Sequence, residues 1–138
     1  MEVRKINTQD FSIIHLLEQF KNDNLNISQE QFKDFVSQLD KHHHIFVIEE
    51  QQRVISCGTI FIETKLIHNL GKVGHIEDVI IDFRFRGQGL GKKIIETLVN
   101  YGRQQGCYKI ILDCSHDNIS FYEKCGFTRK ENQMTIYF

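Results

Sequence analysis

The sequence predicts a single α/β domain in which helices cover both sides of one sheet. Three observations lead to this fold class. Apolar residues at helical spacing follow three alternating glycines at positions 87, 89 and 91, strand-like segments at 75–82 and 109–114 flank that helix, and two short amphipathic segments open the chain. A strand, a helix and a second strand in this order form a right-handed parallel crossover. We therefore expect three layers and at least one parallel pair of strands.

Two helices are predicted in the first 40 residues. Thr8 or Asn7 can cap the first helix, and Ser28 with Gln31 three residues later is the capping box of the second. Apolar side chains recur at helical spacing in both segments: Phe11, Ile14, Leu17 and Phe20, then Phe32, Phe35, Val36 and Leu39. Each helix can therefore bury one face against the sheet.

A β-hairpin is predicted next, with strands at 44–50 and 54–63 joined by the polar turn QQR. After a loop, the segment HIEDVIID at 75–82 is the third long strand. Its last residue, Asp82, is expected to face solvent as an ordinary strand end.

The C-terminal half is predicted to contain two helices and three strands. The glycine helix runs from about Leu90 to Gln104, and the strand at 109–114 is expected to be buried on both faces because its residues are apolar. A short helix at 119–125 ends at Gly126. The segments FTRK and QMTIYF are predicted to be closing strands, which gives the order α-α-β-β-β-α-β-α-β-β.

Composition narrows the class of protein further. The 138 residues, 41% of them hydrophobic, suit one domain spanning 1–138 with one core. A net charge of -1 argues against a general nucleic-acid surface, and no stretch has the length of a membrane span. Four unpaired cysteines and a polar start without an export signal predict reduced thiols in a cytoplasmic protein. Cys114 and Cys125 are expected in the core.

The histidines at 42–44 are the one candidate metal cluster. No carboxylate or cysteine stands at ligand spacing nearby, so we expect them to end a helix in solvent and predict no metal.

The glycine loop raises the question of which anion it holds. A P-loop needs G-x-x-x-x-G-K-[ST], and a dinucleotide fingerprint needs G-x-G-x-x-G; the spacing here fits neither. A glycine turn at a helix N-terminus nevertheless lets backbone N–H groups converge on a diphosphate. The alternative is a flexible turn whose glycines only permit tight packing.

Other motifs agree with the first interpretation. Arg86-x-x-Gly89-x-Gly91 resembles the acyl-CoA loop of the GNAT acetyltransferases. The segments GHIEDVIID, RGQGLGKKIIETL, GCYKIILDC and FYEKCGF together resemble the glucosamine 6-phosphate N-acetyltransferases over roughly residues 54 to 134. This resemblance implies the GNAT acyl-CoA N-acyltransferase fold, a mixed, mostly antiparallel sheet flanked by helices. It also implies direct acetyl transfer from acetyl-CoA to D-glucosamine 6-phosphate, giving N-acetyl-D-glucosamine 6-phosphate for UDP-N-acetylglucosamine synthesis.

The resemblance also implies a site for acetyl-CoA. The bulged strand at 75–82 would bind the thioester carbonyl and pantetheine arm with its backbone around Val79, and the glycine loop would bind the diphosphate. The implied cofactor-binding residues are Val79, Ile80, Ile81, Arg86, Gly87, Gln88, Gly89, Leu90, Gly91, Lys92, Asp113 and Tyr122.

Three residues are candidates for the chemistry. Strand alternation sends Glu77 and Asp78 to opposite faces, and a buried carboxylate needs a partner or a polar cleft, so we expect this part of the strand to form a site. Tyr122 is either a packing residue or, as the resemblance implies, the group beside the CoA sulfur. Asp113 is either a polar strand end or, as the resemblance implies, a residue that orients the amine or lies beside the CoA sulfur. We expect Glu77 or Asp113, directly or through water, to receive the proton of the amine.

Without the resemblance, most of the residues that would hold the acceptor would be interpreted as ordinary surface residues. The resemblance places Asn22, Lys65, Leu66, Ile67, His68, Glu77, Asp78, Tyr108 and Lys109 against the sugar phosphate, some of them across the interface of a homodimer. Two departures affect the acceptor. Asn22 and Asp23 stand where family members often carry a threonine, and the chain end MTIYF has no cation for the phosphate. The rival functions are acetylation of another amino sugar or small amine, and CoA binding without turnover.

Overall fold

The computed structural model, which describes residues 1–21 and 24–138, has one five-stranded sheet in the order β1-β2-β3-β4-β5. The strands are β1 (Val3–Lys5), β2 (His43–Glu50), β3 (Arg53–Thr64), β4 (Lys72–Ile81) and β5 (Cys107–Ile111), and the helices are α1 (Ile13–Lys21), α2 (Gln29–Ser37), α3 (Ile67–Leu70), α4 (Leu90–Gln104) and α5 (Ile119–Lys124). Neighbouring strands are antiparallel from β1 to β4, whereas β4 and β5 are parallel and joined through α4. The mixed, mostly antiparallel sheet and its parallel crossover are therefore confirmed.

Helix α4 forms the larger core on one face of the sheet. Its buried side chains pack on apolar residues of β2, β3 and β4, and the helical members of that core are Leu90, Ile94, Ile95 and Leu98. Glycine makes the close approach of α4 to the sheet possible, because a Cβ at Gly58 of β3 would stand 2.7 Å from Cγ2 of Ile94 and 2.9 Å from Cδ1 of Leu98. The N-terminus of α4 is thereby held at a fixed place above the sheet.

Helices α1 and α2 cover the opposite face, where Ile14, Leu16 and Phe32 pack against Val47 and Ile80. The capping box of α2 is confirmed: Ser28 Oγ accepts from the Gln31 amide at 3.1 Å, and Gln31 Oε1 accepts from the Ser28 amide at 2.9 Å.

The predicted cap of α1 is wrong, because the helix begins at Ile13. The preceding residues form a turn: Asn7 Oδ1 accepts from the Gln9 amide at 2.8 Å, and Asp10 accepts from the Asn7 amide at 2.8 Å. Asp10 also accepts from both terminal nitrogens of Arg4 at 2.8 Å. Asn7 therefore takes part in a turn that joins β1 to α1 and does not cap the helix.

The hairpin between β2 and β3 has a two-residue loop. Glu50 pairs with Arg53, and both loop residues, Gln51 and Gln52, have left-handed backbones with φ of 50° and 65°. This is the pattern of a type I′ turn, whose twist matches that of the strands it joins.

The histidines at 42–44 were expected to end a helix. Instead, His43 and His44 are the first two residues of β2.

The edges of the sheet differ most from expectation. Strand β1 was missed, because three residues are too few to show alternation. Strand β5 ends at Ile111 instead of 114, and it is not buried on both faces: Tyr108 is 41% and Ile111 is 40% exposed. An apolar composition alone did not reveal that this strand lies at the edge of the sheet in the single chain.

The two predicted closing strands are absent from the described chain, in which no strand follows Ile111. Met134 is 92% and Ile136 is 81% exposed, so the last residues lie away from the core. A strand needs a neighbour for its backbone hydrogen bonds, and within this chain the tail has none in the sheet.

Candidate active site

A β-bulge interrupts the pairing of β3 with β4 at the predicted site. Thr59 pairs with Glu77 and Cys57 with Ile80, so two residues of β4 stand opposite the single Gly58. Asp78 takes a left-handed backbone with φ of 50°, which breaks the alternation that the sequence predicted for Glu77 and Asp78. The expected bulge is confirmed. It bends the strand and removes residues around Val79 from regular pairing with β3, so that their backbone can bind a ligand.

Glu77 lies among other carboxylates. Desolvation raises its pKa above the ordinary value, and the negative charges of Asp113 and Asp78 raise it further, whereas His75 lowers it. The charge of Asp113, two residues beyond the end of β5, therefore acts on Glu77 of β4. A carboxylate whose pKa is raised binds a proton more readily, which is the property a general base requires.

Tyr122 on α5 completes this cluster. Its ring packs edge-on against Phe121 and Phe127, with centroids 5.0 and 6.0 Å away. Burial raises the pKa of the Tyr122 phenol to about 12, with smaller contributions from Cys114, Cys125 and Asp113. The phenol therefore keeps its proton at neutral pH and can act as a hydrogen-bond donor.

The glycine loop is open and preformed. Gly87 and Gly89 have φ of 80° and 81°, and a Cβ at either position would meet no atom within 4 Å. These two glycines are thus required by backbone conformation and not by tight packing, which disfavours the flexible-turn interpretation. Gly89 precedes α4 and its carbonyl accepts the amide of Lys93 at 3.1 Å. The open space in front of a helix N-terminus suits an anion.

Side chains around the loop leave it accessible. Arg86 and Lys92 are exposed, and Arg86 Nε donates to the carbonyl of Ile81 at 3.3 Å. Leu90 points into the core, and Gln88 is exposed. The loop thus places two cations beside the helix N-terminus.

An ion pair between the buried Asp82 and the half-exposed Arg84 fixes the approach to the loop. Asp82 is only 4% exposed. Its carboxylate accepts hydrogen bonds from the backbone amide, Nε and Nη2 of Arg84, the last at 2.7 Å. These bonds lower the pKa of the Asp82 carboxyl to about 2. The expectation that Asp82 faces solvent is wrong, because Arg84 supplies a partner only two residues further on. The pair anchors the short turn Phe83–Phe85 ahead of the glycines.

The predicted acceptor residues form two groups. His68 stacks on Tyr108 with ring centroids 4.2 Å apart, and Lys109 Nζ lies 5.8 Å from the centroid of Tyr108. Lys65 instead lies 3.2 Å from Glu63. Leu66 and Ile67 are exposed on the same connection, and Asn22 lies outside the described residues.

One pair near Glu77 was not singled out from the sequence. His75 Nε2 and Glu63 Oε1 are 2.9 Å apart. The alternation of side chains along the two strands could have indicated this pair. His75 shares one face of β4 with Glu77, and its partner on β3 is Phe61, two residues before Glu63 on the same face.

The cysteines differ in exposure. Cys57 is buried, and burial raises the pKa of its thiol to about 12; Cys114 is exposed, which corrects its predicted place in the core. No group of three metal-binding side chains occurs among the described residues. No described helix combines the length and apolar character needed to cross a bilayer.

Known proteins resemble this chain in sequence and in fold. Residues 2–127 match the acetyltransferase (GNAT) family. A glucosamine 6-phosphate N-acetyltransferase of Dictyostelium discoideum is 49% identical over 78% of this chain and 69% of its own length. The enzyme of that name from Arabidopsis thaliana is 52% identical over 70% of this chain and 66% of its own length, so the chain matches about two thirds of each relative.

A solved structure extends the match to nearly the whole chain. The crystal structure of glucosamine-6-phosphate N-acetyltransferase from Arabidopsis thaliana superposes with a TM-score of 0.94 and 42% identity, covering 99% of this chain and 97% of that one.

Proposed function

The chain belongs to the acetyltransferase (GNAT) family, and from that premise we propose that it transfers the acetyl group of acetyl-CoA to the amine of D-glucosamine 6-phosphate. The product would be N-acetyl-D-glucosamine 6-phosphate, an intermediate for UDP-N-acetylglucosamine. The observation that carries the proposal is a β-bulge at Asp78 and Val79 followed by an open glycine loop ahead of α4, with the charge of Asp113 acting on both Glu77 and Tyr122. The names of the similar enzymes support this acceptor.

The glycine loop binds the diphosphate of acetyl-CoA in this proposal. The first amides of α4 and the helix dipole attract an anion there, and the exposed Arg86 adds positive charge nearby. Lys92, whose Nζ lies 3.8 Å from Oε1 of Glu96, supplies a second cation in the first turn of the helix. The thioester then extends along the bulge toward Glu77. An N–H group near Val79 donates to the thioester oxygen as negative charge develops on it.

Acetyl transfer proceeds by direct attack of the amine on the thioester carbon. The C–N bond forms, the C–S bond breaks, and the sulfur leaves as a thiolate. The ammonium form of the amine first gives one proton to Glu77, directly or through water, since the raised pKa of Glu77 suits a proton acceptor. After attack, the nitrogen loses its second proton as the amide forms, and this proton passes through solvent to the departing thiolate, which leaves as the CoA thiol. Tyr122 donates a hydrogen bond to the departing sulfur, and its pKa of about 12 means that the proton stays mainly on the phenol.

The sugar phosphate is assigned to the cations near β5. Lys109 and His68 lie beside Tyr108 and offer charge-assisted contacts to a phosphomonoester. Lys65 already has a partner in Glu63, so it contributes less freely in the single chain.

We also infer a homodimer with composite active sites, in a cytoplasmic enzyme. The apolar tail residues Met134, Ile136 and Phe138 are exposed, and β5 leaves one edge of the sheet unpaired within the described chain. An exposed apolar segment and an open strand edge are both avoided in stable proteins unless something covers them. A second copy of the chain supplies both partners at once.

The function is tested by one thiol-release assay with acetyl-CoA and a panel of acceptors: glucosamine 6-phosphate, glucosamine, galactosamine 6-phosphate and a simple primary amine. We expect glucosamine 6-phosphate to give the highest kcat/KM. A higher value for another amine would move the function to the rival acetyltransferase. CoA binding without thiol release from any acceptor would support a binding module instead.

A further inference from the structure

We propose that Gln19 of α1 is a positioning residue for the glycine loop, which it holds in place through the backbone amide of Phe83. This inference rests on the proposed function and adds to it a residue outside both the loop and the bulge. Gln19 Oε1 accepts a hydrogen bond from the Phe83 amide at 3.1 Å, although the two residues are 64 positions apart in the sequence. The bond joins α1 to the short turn Phe83–Phe85, directly ahead of the loop.

The turn Phe83–Phe85 has three backbone amides, each with its own acceptor. The Arg84 amide donates to Asp82 Oδ1 at 2.9 Å, and the Phe85 amide donates to the Asp82 carbonyl at 2.8 Å. Both bonds are local, so they shape the turn without fixing it relative to the rest of the molecule. Of the three amides, only that of Phe83 donates to a distant part of the described chain. The first amides of a helical turn have no partner within it, so a side chain from another element can satisfy this one.

Helix α1 is a firm base for Gln19. Ile14 and Leu16 of the same helix are buried against the sheet, with exposures of 6% and 2%. Just before the helix, Ser12 Oγ accepts a hydrogen bond from the Val54 amide of β3 at 2.9 Å. Gln19 itself is half-buried. Its amide oxygen therefore carries the position of the core to the turn.

The glycine loop has few restraints of its own. A Cβ at Gly87 or Gly89 would meet no atom within 4 Å, so neither position is fixed by packing. The end of the loop is fixed by α4, whose first residue, Leu90, is buried. Its beginning follows the turn, to which Arg86 joins it. Amides bind a diphosphate best when they already converge on it, so both ends of the loop need to be held before CoA arrives.

The expected effect is that of one hydrogen bond. The residue before the turn remains attached to β3 without Gln19, because the Asp82 amide donates to the Ile55 carbonyl at 2.8 Å. Loss of one net hydrogen bond corresponds to roughly three- to tenfold in affinity. The groups at the bulge are untouched, so kcat at saturating acetyl-CoA should stay within about twofold of the wild-type value.

The experiment is a double-mutant cycle on CoA affinity, measured by isothermal titration calorimetry. Gln19→Met removes the acceptor and keeps an unbranched side chain of similar length. Phe83→Pro removes the donor at the first position of a helical turn, where proline fits, and Asp82 before it has φ of -51° and ψ of 130°, which a following proline allows. Phe83→Ala is the matched reference, because it loses the same exposed ring and keeps the amide.

The two backgrounds should respond differently. With Phe83→Ala, Gln19→Met should weaken CoA binding about three- to tenfold; with Phe83→Pro, the loss should be less than about twofold, because the bond is already absent. Equal losses in both backgrounds would show that Gln19 acts elsewhere and would overturn the inference, as would unchanged affinity in Gln19→Met alone. In steady-state kinetics Gln19→Met should raise the KM for acetyl-CoA. A lower kcat with unchanged KM would contradict a role at the loop.

Two further outcomes are decided in advance. If Phe83→Pro does not fold, hydrogen exchange of the Phe83 amide replaces it: exchange without CoA should be faster in Gln19→Met than in the wild type, and weaker CoA binding without faster exchange would overturn the inference. The inference and the proposed function also fail separately. A wild type that binds CoA but acetylates no amine refutes the proposed transfer and leaves the cycle measurable, whereas a wild type that does not bind CoA refutes both.

Discussion

Gly91 of α4 lies directly against Phe121 of α5: a Cβ on the glycine would stand 3.1 Å from Cζ of the phenylalanine. The contact joins the glycine loop to the helix that carries Tyr122, the residue after Phe121. The proposed diphosphate site and the helix that carries Tyr122 are therefore packed against each other. Binding at the loop and chemistry at Tyr122 can still be separated by substitutions that leave this contact intact.

Tyr122→Phe should slow the chemical step and leave CoA affinity nearly unchanged, because only the hydroxyl is lost and the ring still packs on Phe121 and Phe127. Loss of one hydrogen bond in the transition state corresponds to a roughly ten- to hundredfold lower rate. Single-turnover kinetics measures this step directly. Phe127→Leu is the matched control, since it alters the packing on Tyr122, keeps the hydroxyl and leaves the contact between Gly91 and Phe121 intact. Unaltered single-turnover rates in Tyr122→Phe would remove the phenol from the mechanism.

Gly89→Val should weaken CoA binding by about tenfold or more, since a branched side chain cannot adopt the left-handed backbone at φ of 81° without strain and would crowd the diphosphate. Isothermal titration calorimetry with CoA measures the effect. Gly106→Val is the control: Gly106 has φ of 88° and equally open surroundings, but it lies beyond the other end of α4. Equal losses of affinity in both variants would show a general effect on folding.

Lys109→Ala should raise the KM for glucosamine 6-phosphate and leave that for acetyl-CoA nearly unchanged. A lost charge-assisted contact of about 1.5–3 kcal/mol corresponds to roughly ten- to hundredfold. Steady-state kinetics with the exposed helix lysine variant Lys33→Ala controls for the loss of one surface charge. Glucosamine without phosphate is the second control. If the wild type acetylates it as efficiently as the 6-phosphate, no phosphate site operates, and Lys109 has another role.

The tail should hold a dimer together. Deleting residues 133–138, or replacing Ile136 by Asp, removes the apolar surface and should shift the protein from dimer to monomer with a large loss of activity. Sedimentation velocity at micromolar concentration measures the change. Tyr137→Phe, which keeps the surface apolar, serves as the control. A fully active monomer in the wild type would contradict composite active sites.

Asp82→Asn should lower the free energy of unfolding at pH 7 by about 1 kcal/mol or less, because the ion pair with the half-exposed Arg84 is lost and solvent screens that pair. The folded-state pKa of about 2 lies below the ordinary value for an aspartate, so the stabilisation is present above about pH 4 and is lost as pH falls toward 2. Urea unfolding at pH 7 and pH 3 should show a smaller difference at the lower pH. Asp34→Asn, at an exposed position on α2, provides the comparison. A difference that does not change with pH would assign the loss to packing.

The sequence predicted the parts of the fold that local patterns determine. The capping box of α2 depends on Ser28 and Gln31 alone, and the parallel crossover follows from the apolar spacing of α4 and the glycines before it. The loop and the bulge were recognised because their motifs resemble those of known acetyltransferases. Expectations about side-chain contacts failed where the partner residue is distant in sequence or lies in a short turn.

The errors have identifiable physical causes. Asp82 was misjudged because its partner, Arg84, comes from the following turn, and the Glu63–His75 pair requires the register of two strands. The closing strands were expected because the residues of QMTIYF favour strands, yet a strand forms only where a neighbour is available. Whether that neighbour belongs to a second copy is a property of the assembly, which intrachain patterns do not encode.

The turn between β2 and β3 has a consequence for how quickly the chain folds. Gln51 and Gln52 both adopt a left-handed backbone, which disfavours ordinary residues by about 1–2 kcal/mol each. The hairpin is the most local pairing in the central sheet, so this penalty falls on the contact that can form earliest. Replacing the two glutamines by Asn-Gly would remove most of it. The hairpin is therefore a place where refolding could be accelerated without touching any residue of the active site.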